Sequence, residues 1–343
     1  MTVRVGVVGV GSIGQDHVRR LCQRLRGARV VALADADRAR ADAVARGVDG
    51  ARVHATGQEL IRDDDVDAVV VATSGPAHEP FVLSAIAAGK PVFCEKPLAP
   101  TTEPCRRILD AEVAGRRRLV QVGFMRRYDA GYRAMKETLA AGALGAPLLV
   151  HCAHRNAAAP AGVTTDMLVT DSAVHEIDLA RWLLDQEIVA VQTLRPRRSV
   201  RAAADLQDPL MVVLESADGA LVDVEVFVNS GYGYEIRCEV VAELGTVSLA
   251  EGGEVVVRQG GQRLGRVAAD WRERFAPAYD TELQAWVDSV ERAEAGGPSS
   301  WDGYAATAVA EAALASLRSG APTPVQLAER PALYRPTELR RSP

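Results

Sequence analysis

Lysine is almost missing from this chain. Of its 40 basic residues only Lys90, Lys96 and Lys136 are lysine. A composition of this kind places arginine wherever positive charge is enough. A retained lysine then points to a position that needs an ammonium, whose pKa can be tuned toward neutrality and which can take part in proton transfer. Cysteine is sparse too. Cys22, Cys94, Cys105, Cys152 and Cys238 are odd in number and widely spaced, with no Cys-x-x-Cys pair. That argues against a zinc knuckle or a disulfide framework and fits a reducing cytoplasm. No apolar run approaches the roughly 20 residues of a membrane span. The first apolar stretch leads directly into a glycine-rich turn, unlike the plan of a signal peptide. A net charge of −5 gives no reason to expect nucleic acid or an anionic membrane as partner. The chain has no internal repeat and no low-complexity region. It has no His-Glu-x-x-His, and His151 and His154, three apart on a strand, point to opposite faces and cannot chelate together, so no metal site is expected.

What the chain does have is 343 residues, 48% of them apolar and 25% charged, enough for about two globular domains. Val3 to Val8 is a short, nearly continuous apolar run, the pattern of a strand buried on both faces. Gly9-Val10-Gly11-Ser12-Ile13-Gly14 follows and opens a helical pattern that runs toward Leu25. In that setting Gly9 permits the tight turn, Gly11 lets a pyrophosphate approach the backbone, and Gly14 lets helix and strand pack closely. The helix N-terminus offers its N–H groups to the phosphates. A second strand, Arg29 to Ala34, ends at Asp35, about 20 residues past the glycines, where a carboxylate binds the ribose hydroxyls and repels a 2′-phosphate. Asp37 adds negative charge, and no arginine intervenes between Asp35 and Arg38, so NAD is expected over NADP. A simple helix-capping role for Asp35 is the plainer alternative.

The alternation continues through a strand from Val66 to Ala72, a helix from Pro80 to Ala88 and a strand from Pro91 to Cys94. A helix capped by Thr101 or Thr102 and ending at Ala114 follows, then a strand from Leu119 to Val122. This is the order of an α/β, doubly wound (Rossmann) domain over residues 1–122. Ligands of such sheets bind beyond the carboxyl ends of the strands. That places Ser12 and Ile13 of the glycine turn, Thr73, Ser74 and His78, and Glu95 and Lys96 in the expected cofactor site.

Residues 123–333 pattern differently. A helix from Asp129 to Ala140 leads into a strand from Pro147 to His154. Asp171 to Asp178 opens a helix reaching Leu184. Strand-like runs follow at Met211 to Glu215, Leu221 to Val228, Tyr234 to Ala242, Thr246 to Ala250 and Glu254 to Arg258, and helices at Tyr279 to Ala295 and Trp301 to Leu317. This predicts a C-terminal α+β domain with a large, mostly antiparallel open sheet. One face is covered by the Asp171 helix and the other is available to an oligomer interface. A polar tail occupies 334–343. Asp171 and His175 are four apart and share a helical face. A carboxylate beside an imidazole orients the ring and raises its basicity, the support a general base needs. A capping aspartate and a packed histidine would show the same spacing.

Together, Gly9-x-Gly-x-x-Gly14, Glu95-Lys96-Pro97 and the Asp171-to-His175 helix resemble the glucose–fructose oxidoreductase/inositol dehydrogenase superfamily. Gly123 to Asp129, His151 to Asn156, Thr164 to Met167, Val174 to Asp178, Gly231 to Tyr234, Ala278 to Asp280 and Trp301 to Tyr304 are similar to the bacterial inositol 2-dehydrogenases within it. The resemblance covers about Val3 to Gly320. It implies a two-domain, commonly homotetrameric oxidoreductase that oxidises the polyol myo-inositol to scyllo-inosose with NAD. It assigns catalysis to Lys96, Asp171 and His175: His175 accepts the hydroxyl proton, Asp171 holds the imidazole, and Lys96 polarises the oxygen. It implies Met125, Arg126, His154, Asn156, Asp178, Tyr234 and Tyr279 as polyol-facing residues, and a cis Lys96–Pro97 bond. Two departures bear on the polyol: a tryptophan common between the positions of Ser74 and Gly75 is absent, and a tyrosine is replaced by Val163 in an otherwise unlike 157–163 loop. Another cyclitol, an aminocyclitol or a pyranose is the nearest alternative substrate. A non-catalytic NAD sensor would be expected to have lost Lys96 or His175.

Overall fold

The computed structural model describes residues 2–249, 257–259, 262–264 and 267–335. The chain divides into two compact units. One comprises Met1–Gly123, Glu282–Ala305 and Leu327–Pro343, the other Phe124–Thr281 and Ala306–Gln326. The chain returns to the first unit twice, at Glu282 and at Leu327.

In the first unit, β1 (Val3–Val8), β2 (Ala28–Ala34), β3 (Arg52–Val53), β4 (Ala68–Val71), β5 (Val92–Cys94) and β6 (Val120–Val122) form one sheet in the order β3-β2-β1-β4-β5-β6. Its ladders are parallel. The connecting helices are α1 (Ser12–Gln23), α2 (Arg38–Ala45), α3 (Gly57–Arg62), α4 (His78–Ala87) and α5 (Thr102–Ala114). This is the doubly wound order, with its switch point between β1 and β4. The strands read as continuous apolar runs because both faces are covered; Val5, Val7, Val70 and Phe93 are inaccessible to solvent. The sequence reading left out β3 and α3, elements too short to show a period.

The second unit holds α6 (Ala130–Ala140), β7 (Pro147–Arg155), a short turn α7 (Thr165–Met167), α8 (Val174–Leu184), β8 (Ile188–Leu194), β9 (Leu210–Ser216), β10 (Leu221–Phe227), β11 (Glu235–Ala242) and β12 (Gly245–Ser248). A hairpin of β13 (Val257–Gln259) and β14 (Gln262–Leu264) and the two-residue β15 (Thr323–Pro324) complete its strands. Its sheet runs β12-β11-β7-β10-β9-β8-β15. It is mixed, mostly antiparallel: β7 and β10 pair in parallel. β8 was not anticipated, and the expected run from Glu254 falls outside the described residues as far as Val256. The tail also lies outside them from residue 336. The long helices are α9 (Trp271–Glu291) and α10 (Ser300–Ser319). α9 starts eight residues before the expected Tyr279. Pro277 hid that start in the sequence, since proline usually marks a helix boundary.

Candidate active site

Within the first unit, Gly9 has φ +89°, and a Cβ there would lie 2.6 Å from the Thr73 nitrogen. At Gly14 a Cβ would meet the Gly9 carbonyl oxygen at 2.0 Å. These are the tight turn and the close helix–strand approach that the glycine spacing implied. Gly11 is different. It is the N-cap of α1, and a Cβ there would meet only an Arg40 nitrogen at 3.8 Å. Its lack of a side chain leaves room over the helix end rather than relieving a clash. Among the described residues no side chain caps α1 and no acidic residue occupies its first turn. These features fit a bound pyrophosphate.

Asp35, at the end of β2, accepts from the Val10 N–H (2.7 Å) with one oxygen and from the Asp37 N–H (2.8 Å) with the other. Helix α2 is capped instead by Asp37, which accepts from the Arg40 N–H. The plainer reading of Asp35 as a helix cap is thus set aside. Its carboxylate is tied to the glycine turn itself and keeps lone pairs for further donors. Arg40 lies 3.8 Å from the Asp35 carboxylate. Asp35→Ser would remove the anion and leave that cation. We expect kcat/KM for NADP relative to NAD to rise at least tenfold, about 1.4 kcal/mol, and Asp35→Ser/Arg40→Ala to lose the gain. Unchanged cofactor preference in Asp35→Ser would refute this reading of the pair.

Lys96 follows β5, and its bond to Pro97 is cis, as the resemblance implied. Its backbone N–H donates to Glu95 Oε2 at 3.1 Å. Glu95 is buried, and its other oxygen lies 2.7 Å from His17 Nε2. Burial works against the Glu95 carboxylate, but the hydrogen bond and charge of His17 and then Lys96 outweigh it and hold its pKa below the usual value. His78 is buried with its two ring nitrogens on backbone oxygens, Nδ1 on Pro97 (2.8 Å) and Nε2 on Thr73 (3.0 Å). Desolvation lowers its pKa. The neutral ring carries one N–H, so His78 donates to the Pro97 or the Thr73 carbonyl according to its tautomer, and Glu95 turns inward to the protein. Thr73 and Ser74 lie just beyond β4, at the carboxyl edge of the sheet.

In the second unit, Asp171 and His175 are not in one regular helix. Leu168–Ala173 forms a π-helical turn, in which the Val174 N–H reaches back five residues to the Val169 carbonyl. Thr170, Asp171 and Ser172 are residues whose side chains compete with helical backbone bonds. The wider turn leaves the four-residue spacing just short of one circuit instead of just past it, so Asp171 and His175 stay on one side. Such turns recur at functional sites.

α8 is buried on all sides except at Trp182, yet it carries Glu176, Asp178 and Arg181. Buried charges must be paired, and these are. Glu176 takes Arg126. Asp178 takes both Arg127 nitrogens, Nε at 2.8 Å. Arg181 takes Glu187. Arg126 also lies 3.2 Å from His154 Nδ1, which is 3.2 Å from Glu176 Oε2. Nδ1 accepts from the first or donates to the second, according to tautomer. Burial pushes the Glu176 carboxyl up, but the Arg126 charge and then His154 bring it down to about 2. The rings of His154 and His175 are 6.4 Å apart, and Tyr234 meets His154 edge-on at 5.9 Å. Burial pushes the Tyr234 hydroxyl up to about 12, so it remains a donor. Asn156, which follows β7, has a buried Oδ1 that accepts no hydrogen bond from the described residues. Met125 is buried in a single helical turn, and Tyr279 packs on Trp271 at 5.5 Å.

The structure therefore gathers Arg126, His154, His175 and Tyr234, and commits Asp178 to Arg127. Sequence reasoning did not single out Glu176, Arg127 or His17. The signal available for Glu176 was a charge in a helix with apolar residues on every side. Among the described residues, no group of three or more His, Cys, Asp or Glu is placed to hold a metal ion.

Family comparison matches residues 3–124 to an oxidoreductase family, NAD-binding Rossmann fold, and residues 136–327 to the α/β C-terminal domain of the same family. The chain belongs to the GFO/IDH/MocA oxidoreductase family. Members similar to it include inositol 2-dehydrogenase 3 of Saccharopolyspora erythraea, 55% identical over 97% of this chain and 98% of the relative. Inositol 2-dehydrogenase 1 of that organism is 57% identical over 97% and 99%. Among solved family members, myo-inositol dehydrogenase from Lactobacillus casei, in complex with NAD(H) and myo-inositol, superposes with a TM-score of 0.95. It is 40% identical and covers 98% of this chain and 100% of its own. As a member of the GFO/IDH/MocA family with an intact dinucleotide turn, the chain is an NAD-dependent oxidoreductase.

Proposed function

We propose that this enzyme oxidises myo-inositol to scyllo-inosose. The observation that carries the reading is the full-length likeness, at more than half of all positions, to enzymes named inositol 2-dehydrogenase. The Arg126–His154–Tyr234 cluster beside His175 supports it. Bound NAD supplies the hydride acceptor. His175 takes the proton of the reacting hydroxyl as its C–H bond breaks and the C=O bond forms. Asp171 orients the imidazole and stabilises its charged form. Lys96 donates to the substrate oxygen and stabilises the alkoxide that develops there. Asn156 Oδ1 and the Tyr234 hydroxyl offer an acceptor and a donor to ring hydroxyls.

NADH formation should be measured across myo-, scyllo- and chiro-inositol and glucose. We expect the highest kcat/KM with myo-inositol, by about tenfold or more, the net scale of one hydrogen bond. Turnover of glucose alone would sink the reading. The departures at Ser74–Gly75 and at 157–163 make another cyclitol the specific alternative that this panel distinguishes.

We further propose a cytoplasmic homotetramer. All five cysteines are free, as suits a reducing compartment. The outer face of the second unit's sheet carries exposed Leu149 and Leu221 side by side in register, with His151 and Asp223 paired beside them. A monomeric mass by light scattering would remove the assembly.

A further inference from the structure

We propose that His17 is a positioning residue for Lys96 and acts through Glu95; this rests on the reading of Lys96 as the group that polarises the substrate oxygen. His17 lies in α1, the helix whose N-terminus faces the glycine turn, and it is fully buried. Its ring stands edge-on to Phe93, with centroids 5.5 Å apart and planes at 82°. Phe93 is two residues before Glu95 on β5, so the ring orientation is set by the same strand that delivers Lys96. From there His17 Nε2 reaches Glu95 Oε1 at 2.7 Å, and Glu95 Oε2 accepts the Lys96 N–H at 3.1 Å.

The carboxylate has little freedom of its own. The Glu95 N–H donates to the Val71 carbonyl, and a Cβ on Gly123 would lie 3.3 Å from Oε2. Burying a carboxylate costs several kcal/mol unless it is paired, and a purely packing role at this place is met more cheaply by an apolar side chain. What the carboxylate adds is a fixed acceptor for one backbone N–H, that of Lys96. In its Nδ1–H tautomer His78 donates to the following carbonyl, that of Pro97, at 2.8 Å. The backbone is therefore held on both sides of the lysine, and α1 is tied directly to it. A displacement of about 1 Å in a catalytic group costs on the order of 100-fold, which is the error such a brace prevents.

The test uses the full-length enzyme and length-matched variants. His17→Met removes the donor at nearly constant length. His17→Gln keeps an N–H at the position of Nε2. We expect His17→Met to lower kcat by about 10–100-fold, with the NAD Kd from fluorescence titration within about threefold of wild type. His17→Gln should restore kcat to within about threefold. In the double variant His17→Met/Lys96→Ala, kcat should be no lower than in Lys96→Ala alone, because a residue that acts only through Lys96 has nothing left to position. Losses that multiply, or a His17→Met enzyme with normal kcat beside an impaired Lys96→Ala, overturn the proposal and leave the Lys96 reading standing. Normal kcat in Lys96→Ala overturns that reading and the proposal with it. If His17→Met does not fold, Glu95→Ala takes its place: the same loss, non-additive with Lys96→Ala, supports the brace, and full activity refutes it.

Discussion

His175→Ala is expected to lower kcat by about 10²–10⁴-fold, the range lost with a positioned general base, while NAD affinity is retained. The first expectation follows from where the ring is. It sits in the first turn of α8, 8% exposed, at the end of a π-helical turn that carries Asp171, and 6.4 Å from the His154 ring. Alanine removes the proposed proton acceptor and leaves the Arg126–Glu176 pair in place. The second follows from the location of the dinucleotide turn in the other compact unit, where nothing changes. Single-turnover rates and equilibrium NAD titration separate the two. Wild-type turnover would remove His175 from the mechanism. Asp171→Asn, which keeps the shape but not the charge, should show a smaller loss in kcat with KM little changed. Lys96→Arg keeps the charge and should still impair kcat; near-normal activity there would show that an ammonium is not required.

Glu176→Ala is expected to destabilise the protein by about 3–5 kcal/mol, the cost of leaving one partner of a buried ion pair alone. Arg126 is 1% exposed, and Glu176 is the carboxylate that answers it, with His154 between them. Replacing both partners, as in Arg126→Met/Glu176→Leu, should cost less than Glu176→Ala, since desolvation of both charges is then avoided. Urea midpoints at neutral pH give the comparison; a double variant less stable than the single would refute the account. The pair also sets an acid limit. Burial opposes the charge, but Arg126 and then His154 hold the folded Glu176 carboxyl at about 2, below its ordinary 4.5. Its folded pKa is depressed, so its contribution is fully present above pH 4.5 and is lost as pH falls toward 2. The size is roughly 3 kcal/mol at most, from the shift alone. Glu176→Gln should flatten the fall in urea midpoint between about pH 5 and pH 2 relative to wild type. An identical acid slope in both proteins would assign that loss to other carboxylates.

Much of the first unit was legible because its signals are local. Gly9 and Gly14 are required by contacts within a single strand–turn–helix, and the β1, β2 and β4 runs show their double burial as unbroken apolar stretches. Asp35 stands out by its distance from the glycines, and its hydrogen bond to Val10 is nearly part of the same turn. The second unit was less legible. Its strands alternate, so most were found, but β8 escaped and the parallel pairing of β7 with β10 across some 70 residues was not visible. Pro277 concealed the first turns of α9. The Asp-x-x-x-His spacing of Asp171 and His175 was read as part of a regular helix, and the π-helical turn at Leu168–Ala173 shows a different local geometry.

The amino-acid order by itself determined the dinucleotide turn, the acidic end of β2, the Glu-Lys-Pro edge of β5 and the alternation of strands and helices. In each of these the responsible atoms are a few residues apart, and backbone sterics with burial period are enough. Only the tertiary structure decided which charges meet: His17 with Glu95 across 78 residues, Arg126 with Glu176 across 50, Arg127 with Asp178 across 51. A buried charge requires a partner, but the chain does not name it, because any of 40 basic residues and 45 acidic ones satisfies that demand until packing brings one of them within reach.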